Sequence, residues 1–294
     1  MTPPIRFNIG CDLRFFPQGE AVVLLHLQAM QFSGQRLHQE SLRVSAGNAG
    51  PEIPFDSYIA PGSCNRLLRV VVPAQPGVPE IFVAYRAEVA PTPLLHDPIS
   101  VMEVPVAELP FAVQTYLLAS RYCQSDLLRP FAEQQFGHLL PGHSRVTAIC
   151  NWIRDNVKYA EGSSDTSTTA HDTLGLRSGV CRDFAHLGIA LCRALDIPAR
   201  FVSAYAPGLF PEDFHALFEV YLAGRWYLFD PTRLASTDRA VRIGVGRDAM
   251  DVSFATIYGD VQTTKPIVYA EIPGEPLIAD AAPLTLQAVS FSDV

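Results

Sequence analysis

The sequence predicts an α+β fold, because its strand signals and its helix signals lie in separate parts of the chain. From residue 5 to about residue 105, short aliphatic and β-branched runs alternate with turn formers, as in AVVLLHLQAM and EIFVAYRAEVAP. Helical spacing of apolar residues begins only afterwards, in FAVQTYLLASRYC and SRVTAICNWIRDNV. Strands followed by helices in this way are typical of α+β proteins.

A Pro-rich passage, HDPISVMEVPVAELP, separates the two patterns over residues 96–110. At 294 residues the chain is long enough for two domains of roughly 150 residues each. We therefore predict a boundary near residue 105, with an all-β, sandwich-like domain over 1–105 and a second domain of helices and strands over 106–294.

Acidic residues outnumber basic ones, with 30 Asp and Glu against 22 Lys and Arg. The basic residues are scattered singly, so no basic patch indicates nucleic acid or an anionic membrane as a partner. The start of the chain lacks the pattern of a secretory signal, and no run of about 18 apolar residues is present to span a bilayer. We expect a soluble, cytoplasmic protein, and no pattern indicates its oligomeric state.

The cysteines follow no paired spacing; there are six, at positions 11, 64, 123, 150, 181 and 192. Free thiols are therefore expected. A zinc site would have to combine Cys181, His186, Cys192 and His215, whose spacings match no familiar ligand pattern. We predict neither a metal nor another cofactor.

The second half continues with a polar segment, residues 160–179, that we expect to be a surface loop. A helix should start at Cys181, because apolar or small residues recur at 184, 187, 188, 191, 194 and 195, and Pro198 should stop it. ARFVSAY then predicts a strand, and HALFEVYL and RWYLFD predict a hairpin around Ala223 and Gly224. The segment after residue 250 carries weak strand signals and a Pro- and Ala-rich end with no assignable structure.

Cys181 is the candidate nucleophile. A cysteine in the first turn of a helix faces unpaired N–H groups and the positive end of the helix dipole, which favour the thiolate. The alternative is a packed core thiol, since cysteine is among the most buried residue types. Cys192 fits that alternative better, because it lies in the apolar middle of the same helix.

The hairpin supplies a candidate base and a candidate orienting group. If Ala223 and Gly224 form a two-residue loop, Leu217 faces Asp230 across the hairpin. His215, two residues from Leu217, then shares a face with Asp230, with Cβ atoms roughly 7 Å apart. Taken singly, the histidine suits a surface role and the Asp before proline suits a turn. Together with Cys181 they predict a nucleophile, a base and an orienting carboxylate for covalent acyl transfer.

The phrases SRVTAICNWIRDNVKY, SGVCRDFAHLGIALCRALDIPARFVSAY and HALFEVYLAGRWYLFDPT resemble the bacterial transglutaminase-like superfamily, whose members are described as cysteine proteases. The resemblance covers roughly residues 115–260, and its motif places the triad on Cys181, His215 and Asp230. It implies a papain-like transglutaminase core, preceded here by the β-rich domain.

Two departures from the family pattern bear on function. Many relatives carry Trp two residues after the histidine, where this chain has Leu217, and no acidic cluster resembles the calcium sites of the animal crosslinking enzymes. We expect His186 to pack or to form a hydrogen bond and Asp183 to cap the helix. His171 and Asp172 are expected to form a turn, with a place in the lining of the cleft as the alternative.

The predicted function is a thiol-dependent amide-bond hydrolase, a peptidase or amidase, that acts on a peptide or protein amide through a cysteine acyl-enzyme. Water is the expected acceptor, since a tunnel for an amine needs large aromatic walls and Leu217 stands near the histidine. The alternatives are a protein-glutamine transamidase and a catalytically silent binding module with the same fold.

Overall fold

The computed structural model describes residues 5–72, 80–275 and 285–291 and confirms the α+β fold. The strands that open the chain are β1 (Phe7–Pro17), β2 (Ala21–Leu25), β3 (Gln35–Ala46), β4 (Phe55–Ile59), β5 (Arg66–Val72), β6 (Ile81–Pro91) and β7 (Leu94–His96). The helices are α1 (Phe111–Gln114), α2 (Ser125–Phe136), α3 (His143–Asn156), α4 (Ala170–Leu176) and α5 (Cys181–Ala194). The later strands are β8 (Lys158–Tyr159), β9 (Ser178–Gly179), β10 (Ala199–Tyr205), β11 (His215–Leu222), β12 (Arg225–Phe229), β13 (Val241–Gly246), β14 (Ala255–Tyr258), β15 (Val261–Thr263), β16 (Ile267–Glu271) and β17 (Ala288–Ser290).

The β-rich region consists of two facing antiparallel sheets. One has the order β15-β1-β6-β3, with β16 also on β1, and the other has the order β14-β2-β5-β4. Alternate residues of β1 and β2 point inward, so that Ile9 and Leu13 of one sheet share a buried cluster with Val23 and Leu68 of the other. This arrangement matches the predicted sandwich-like region.

Strands β14, β15 and β16 cross the predicted division of the chain. They lie beyond residue 250, yet β14 pairs with β2, and β15 and β16 pair with β1. This pairing assigns the weak strand signals of that segment to the sandwich, an outcome that the order of the chain does not indicate. The boundary at residue 105 stays a prediction, and residues 276–284 of the Pro- and Ala-rich end lie outside the described residues.

The second region is built around α5. A six-stranded sheet of order β13-β10-β11-β12-β17-β7 packs against this helix through β10 and β11, while α2, α3 and α4 contact its other sides. The helix is more deeply buried than the predicted apolar stripe indicates, because every residue from Asp183 to Ala194 is buried. Gly188 lets α5 pack tightly on β11, since a Cβ atom there would lie 2.7 Å from the Phe218 ring.

One helix prediction was wrong in its bounds, and one helix was not predicted. In FAVQTYLLASRYC only Phe111–Gln114 is α-helical, and Phe111 is 91% exposed, so its apolar residues do not form one packed face. The next helix, α2, was not predicted from the sequence. It carries Pro130 in its interior, and proline normally argues against a helix.

The predicted loop over 160–179 contains α4, which corrects that expectation. Thr169 and Asp172 form a capping box at its start, with the Asp172 N–H donating to the Thr169 hydroxyl and the Thr169 N–H donating to Asp172. Only Ala170 and Thr173 of this helix are buried, so it has no apolar periodicity to read. Asp172 therefore caps a helix and does not form a turn.

Among the described residues, the helices are all too short or too polar to cross a membrane.

Candidate active site

Cys181 is the first residue of α5, as the sequence predicts. The Asp183 carboxylate, itself buried, accepts a hydrogen bond from the Val180 N–H at 2.9 Å and so fixes the turn that presents the cysteine. The Cys181 thiol is partly exposed, in contrast to the buried thiols of four other cysteines, and Cys64 is also partly exposed. Exposure at a helix N-terminus is the setting in which a thiol reacts.

The hairpin has the predicted register. Leu222 pairs with Arg225 and Phe218 with Phe229. Ala223 and Gly224 both have positive φ, 46° and 79°, as a tight two-residue hairpin loop requires. Continuing the register sets Leu217 opposite Asp230, and the His215 Nε2 atom lies 2.9 Å from Asp230 Oδ2. Both side chains are buried.

Backbone and hydroxyl donors of the DPT turn hold the Asp230 carboxylate. Oδ1 accepts from the Thr232 N–H at 2.9 Å and from the Thr232 hydroxyl at 2.6 Å, and Oδ2 accepts from the Ala235 N–H at 3.1 Å. Burial raises the Asp230 pKa, but the charge of His215 and these hydrogen bonds outweigh burial and lower the pKa below its ordinary value. The carboxylate therefore stays ionised.

His215 links the other two side chains. Its Nε2 atom bonds to Asp230, and the Cys181 thiol lies close enough to the ring to raise the His215 pKa. Because Nε2 is engaged by Asp230, Nδ1 is the ring nitrogen that remains available to the thiol. Burial is the largest influence on the His215 pKa and lowers it, yet the charge and hydrogen bond of Asp230 and the contact with Cys181 together raise it to about 10. At neutral pH the ring is an imidazolium between a carboxylate and a sulfur atom.

Burial raises the pKa values of the four core thiols and so makes them unreactive. It is the main cause that raises the pKa of Cys11 and of Cys123 to about 12, and it also raises the pKa values of Cys150 and Cys192. These four groups therefore stay as thiols at physiological pH.

The structure brings Cys181, His215 and Asp230 into one contiguous chain of contacts, and their catalytic roles remain a prediction.

Comparison with known proteins places this geometry in a family. A structure from Cytophaga hutchinsonii, described as a proposed cysteine protease, superposes with a TM-score of 0.89 at 36% identity, over 99% of this chain and 98% of that one. Residues 129–231 match the model of the transglutaminase-like superfamily. The chain belongs to the transglutaminase-like superfamily.

More distant relatives of this transglutaminase-like chain are uncharacterized mycobacterial proteins. One from Mycobacterium leprae is 33% identical over 120 residues, which are 37% of this chain and 42% of the relative. One from Mycobacterium tuberculosis is 31% identical over 160 residues, 49% and 48% of the two chains. The chain thus spans less than half the length of these curated relatives.

Tyr159 is a residue of the transglutaminase-like site that was not predicted from the sequence. The Tyr159 hydroxyl lies close to the backbone N–H and the thiol of Cys181, and both influence the Tyr159 pKa. Its strand, β8, pairs in parallel with β9, immediately before the cysteine. A parallel pair of two residues leaves no periodic signal in the sequence, and the family phrase NVKY was the available indication.

The remaining histidine next to the site has a packing role. His186 stacks on Tyr122 with ring centroids 4.9 Å apart, and its Nε2 accepts a hydrogen bond from the Ala249 N–H. Burial lowers its pKa to about 3, so the ring is neutral. Across the described ranges, no three His, Cys, Asp or Glu side chains lie together as a metal site would require.

Proposed function

We propose that this transglutaminase-like chain is a cysteine hydrolase that cleaves amide bonds in peptides or proteins. The observation that carries the proposal is the chain of contacts from the Cys181 thiol through His215 to Asp230, with the 2.9 Å bond between the last two. This is the arrangement of a nucleophile, a base and an orienting carboxylate. Cys181 stands partly exposed, so a substrate can reach it.

In the first half-reaction, the Cys181 sulfur attacks the carbonyl carbon of the amide. A C–S bond forms while the carbonyl oxygen becomes an oxyanion, which the Cys181 N–H binds. The C–N bond then breaks, and the leaving amine takes the proton from Nδ1 of His215, a proton that came originally from the thiol. Asp230 keeps its charge throughout and fixes the ring.

In the second half-reaction, water attacks the thioester. One water proton passes to His215 as the C–O bond forms, the C–S bond then breaks, and the carboxylic acid leaves while the proton held by His215 restores the resting Cys181–His215 pair. A primary amine in place of water would give a transamidase. The exposure of Tyr159, 42%, favours water, because the neighbourhood of the sulfur is open to solvent.

The sequence argument for water used Leu217, and the structure removes that argument. Leu217 is completely buried in a cluster with Val202 and Leu228. The side chain at this position therefore does not line the approach to the sulfur, and its identity does not choose the acceptor.

The test is mass spectrometry of the protein with a mixed peptide pool, with and without millimolar cadaverine. We expect cleaved peptides whose new C-termini are mainly free acids, and we expect Cys181→Ala to abolish them. Cys64→Ala is the matched control, since it removes the other partly exposed thiol. Mostly cadaverine adducts would favour the transamidase, and no turnover by the unmodified protein would favour a binding module.

Labelling with iodoacetamide at pH 6 adds a test that needs no substrate. Cys181 should react first among the six cysteines, because it is partly exposed at a helix N-terminus and lies beside His215. Equal labelling of Cys64 and Cys181 would contradict the nucleophile assignment.

A further inference from the structure

Tyr159 is held next to Cys181 by backbone pairing. It pairs with Gly179, two residues before the cysteine. The Lys158 N–H donates to the Arg177 carbonyl at 2.8 Å, and the Ala160 N–H donates to the Gly179 carbonyl at 3.0 Å. These bonds fix the chain on both sides of Tyr159, so its position relative to the start of α5 is set by the fold.

The Tyr159 ring is supported on one side and open on the other. It packs against Phe184, a buried residue in the first turn of α5, with ring centroids 5.7 Å apart. The side chain nevertheless remains 42% exposed. A substrate bound to the Cys181 sulfur can therefore approach the hydroxyl without displacing the ring from Phe184.

The hydroxyl occupies the place where charge develops in the proposed reaction. Tyr159 pairs with Gly179 and packs on Phe184, which brings its hydroxyl close enough to the Cys181 N–H and thiol for both to shift the Tyr159 pKa, so it lies beside the nucleophile and the first oxyanion donor. An acyl carbon attached to the sulfur must direct its oxygen toward that N–H. The oxygen that takes the N–H then becomes the neighbour of the Tyr159 hydroxyl.

We infer that the Tyr159 hydroxyl is the second oxyanion donor of this site, an inference that rests on the proposed function. In the free protein the tyrosine oxygen lies beside the Cys181 N–H. In the tetrahedral intermediate the substrate oxygen takes over that N–H and receives the tyrosine O–H as its second hydrogen bond. No proton is transferred from Tyr159, which acts only by donating.

The protonation of Tyr159 suits a donor. Burial and the neighbouring Cys181 raise its pKa above the ordinary value for tyrosine. The hydroxyl thus keeps its proton over the whole pH range in which a cysteine hydrolase works. The opposite role would be a blocking one. In that role the Tyr159 oxygen stands where the substrate oxygen must bind the Cys181 N–H, and the tyrosine must move away before a substrate can bind.

Tyr159→Phe separates these roles, because phenylalanine keeps the ring and its packing on Phe184 while removing the donor. We expect kcat to fall roughly 10²–10³-fold, the usual effect of losing one oxyanion donor, with KM nearly unchanged. Tyr258→Phe is the matched control, since Tyr258 is 59% exposed on β14, and it should keep the wild-type kcat. An unchanged or increased kcat in Tyr159→Phe would overturn the inference, and an increase would indicate the blocking role.

Two thiol reagents distinguish a donor from a residue that only positions the cysteine. A peptide aldehyde adds the Cys181 sulfur to its carbonyl carbon, and the carbonyl oxygen takes up the thiol proton, so the adduct places an oxygen between the two donors. Iodoacetamide alkylates the sulfur with loss of iodide and develops no charge on oxygen. We expect Tyr159→Phe to weaken aldehyde inhibition at least about tenfold and to leave the alkylation rate unchanged.

Equal losses with both reagents would contradict the donor role, because they would show that Tyr159 acts on the sulfur itself. The proposed function fails by a different result, namely hydrolysis that persists in Cys181→Ala, and this would overturn the inference as well. A wild-type kcat in Tyr159→Phe together with an inactive Cys181→Ala would overturn the inference alone.

Discussion

His215 and Asp230 form a buried charged pair, and each depends on the other for its charge. An isolated buried imidazolium would lose its proton, because burial alone lowers the His215 pKa. The Asp230 carboxylate reverses this effect, and it is itself held ionised by donors from Thr232 and Ala235. The protonated ring in turn lies beside the Cys181 thiol, the group that acts as nucleophile in the proposed reaction.

We predict that Asp230→Asn lowers kcat by about 10⁴-fold, the scale known for the equivalent change in a serine triad. The amide carries no charge, so the buried His215 ring becomes neutral and can adopt the wrong tautomer. Steady-state kinetics and a thermal melt measure activity and fold separately. Asp155→Asn, on the exposed end of α3, serves as the control. Turnover near the wild-type value would show that Asp230 is only a turn residue.

We also predict a pH dependence of stability that depends on the same pair. A histidine whose folded-state pKa is raised adds stability that is complete below its unfolded pKa of about 6.5. This stability is lost as the pH rises through about 10, the pKa of His215 in the folded protein. The difference in unfolding free energy between the wild type and Asp230→Asn should therefore shrink from pH 6.5 to pH 10. Urea titrations at several pH values measure it, and a constant difference would contradict the charged state of His215.

The sequence predicted the contact of His215 with Asp230, because strand parity and a two-residue loop determine it within one hairpin. It did not predict Tyr159 or the donors from Thr232 and Ala235. Tyr159 reaches the site through pairing with a strand some twenty residues away, and the Asp230 donors depend on the path of a turn. Neither kind of contact follows from a periodic pattern.

At the scale of elements, the start of α5 depends on close packing at Gly179. A Cβ atom there would lie 2.7 Å from Asp183 Cβ, the residue that caps the helix and fixes the turn before Cys181. Strand β9, the cap and the cysteine therefore act as one unit. The absence of a side chain at residue 179 keeps that unit together.

We predict that Gly179→Ala lowers the unfolding free energy by about 1–3 kcal/mol, the usual cost of overpacking, and lowers kcat by displacing Cys181. The matched control is Gly175→Ala in the adjacent helix α4, where a Cβ atom meets nothing within 4 Å. That control should instead raise stability by roughly 0.5–1 kcal/mol, since alanine favours a helix over glycine. Urea unfolding and steady-state kinetics test both variants, and equal effects would contradict the packing argument.

Elements in which apolar residues recur at a regular spacing over many positions were predicted well, and elements without such a pattern were not. Helices α3 and α5 and the hairpin β11–β12 each bury a regular set of side chains, so their spacing indicates them. Helix α4 buries only two of its residues and α2 contains a proline, so their apolar patterns do not indicate a helix. Strands β14–β16 read weakly because they are short.

At the scale of the whole molecule, the sandwich combines strands from before and after the helical part of the chain. Strand β1 has β6 on one side and β15 and β16 on the other, so an early strand lies between partners from before and after the candidate active site. The core of the sandwich likewise contains later residues, namely Tyr205, Val241, Ile243, Val268 and Ala270. The two regions therefore share one network of strands and side chains.

This sharing leads to a prediction for the boundary near residue 105. A fragment of residues 1–105 keeps β1–β7 but loses β14, β15 and β16. One edge of β1 and one edge of β2 would then expose unpaired N–H and C=O groups, and part of the core would face water. We expect this fragment to show no cooperative urea transition and to aggregate in size-exclusion chromatography.

Coexpression with residues 106–294 should restore the cooperative transition, because the missing strands can pair again. A cooperative transition of the fragment alone would show that the sandwich needs none of the later strands, and the predicted domain would then be an independent folding unit.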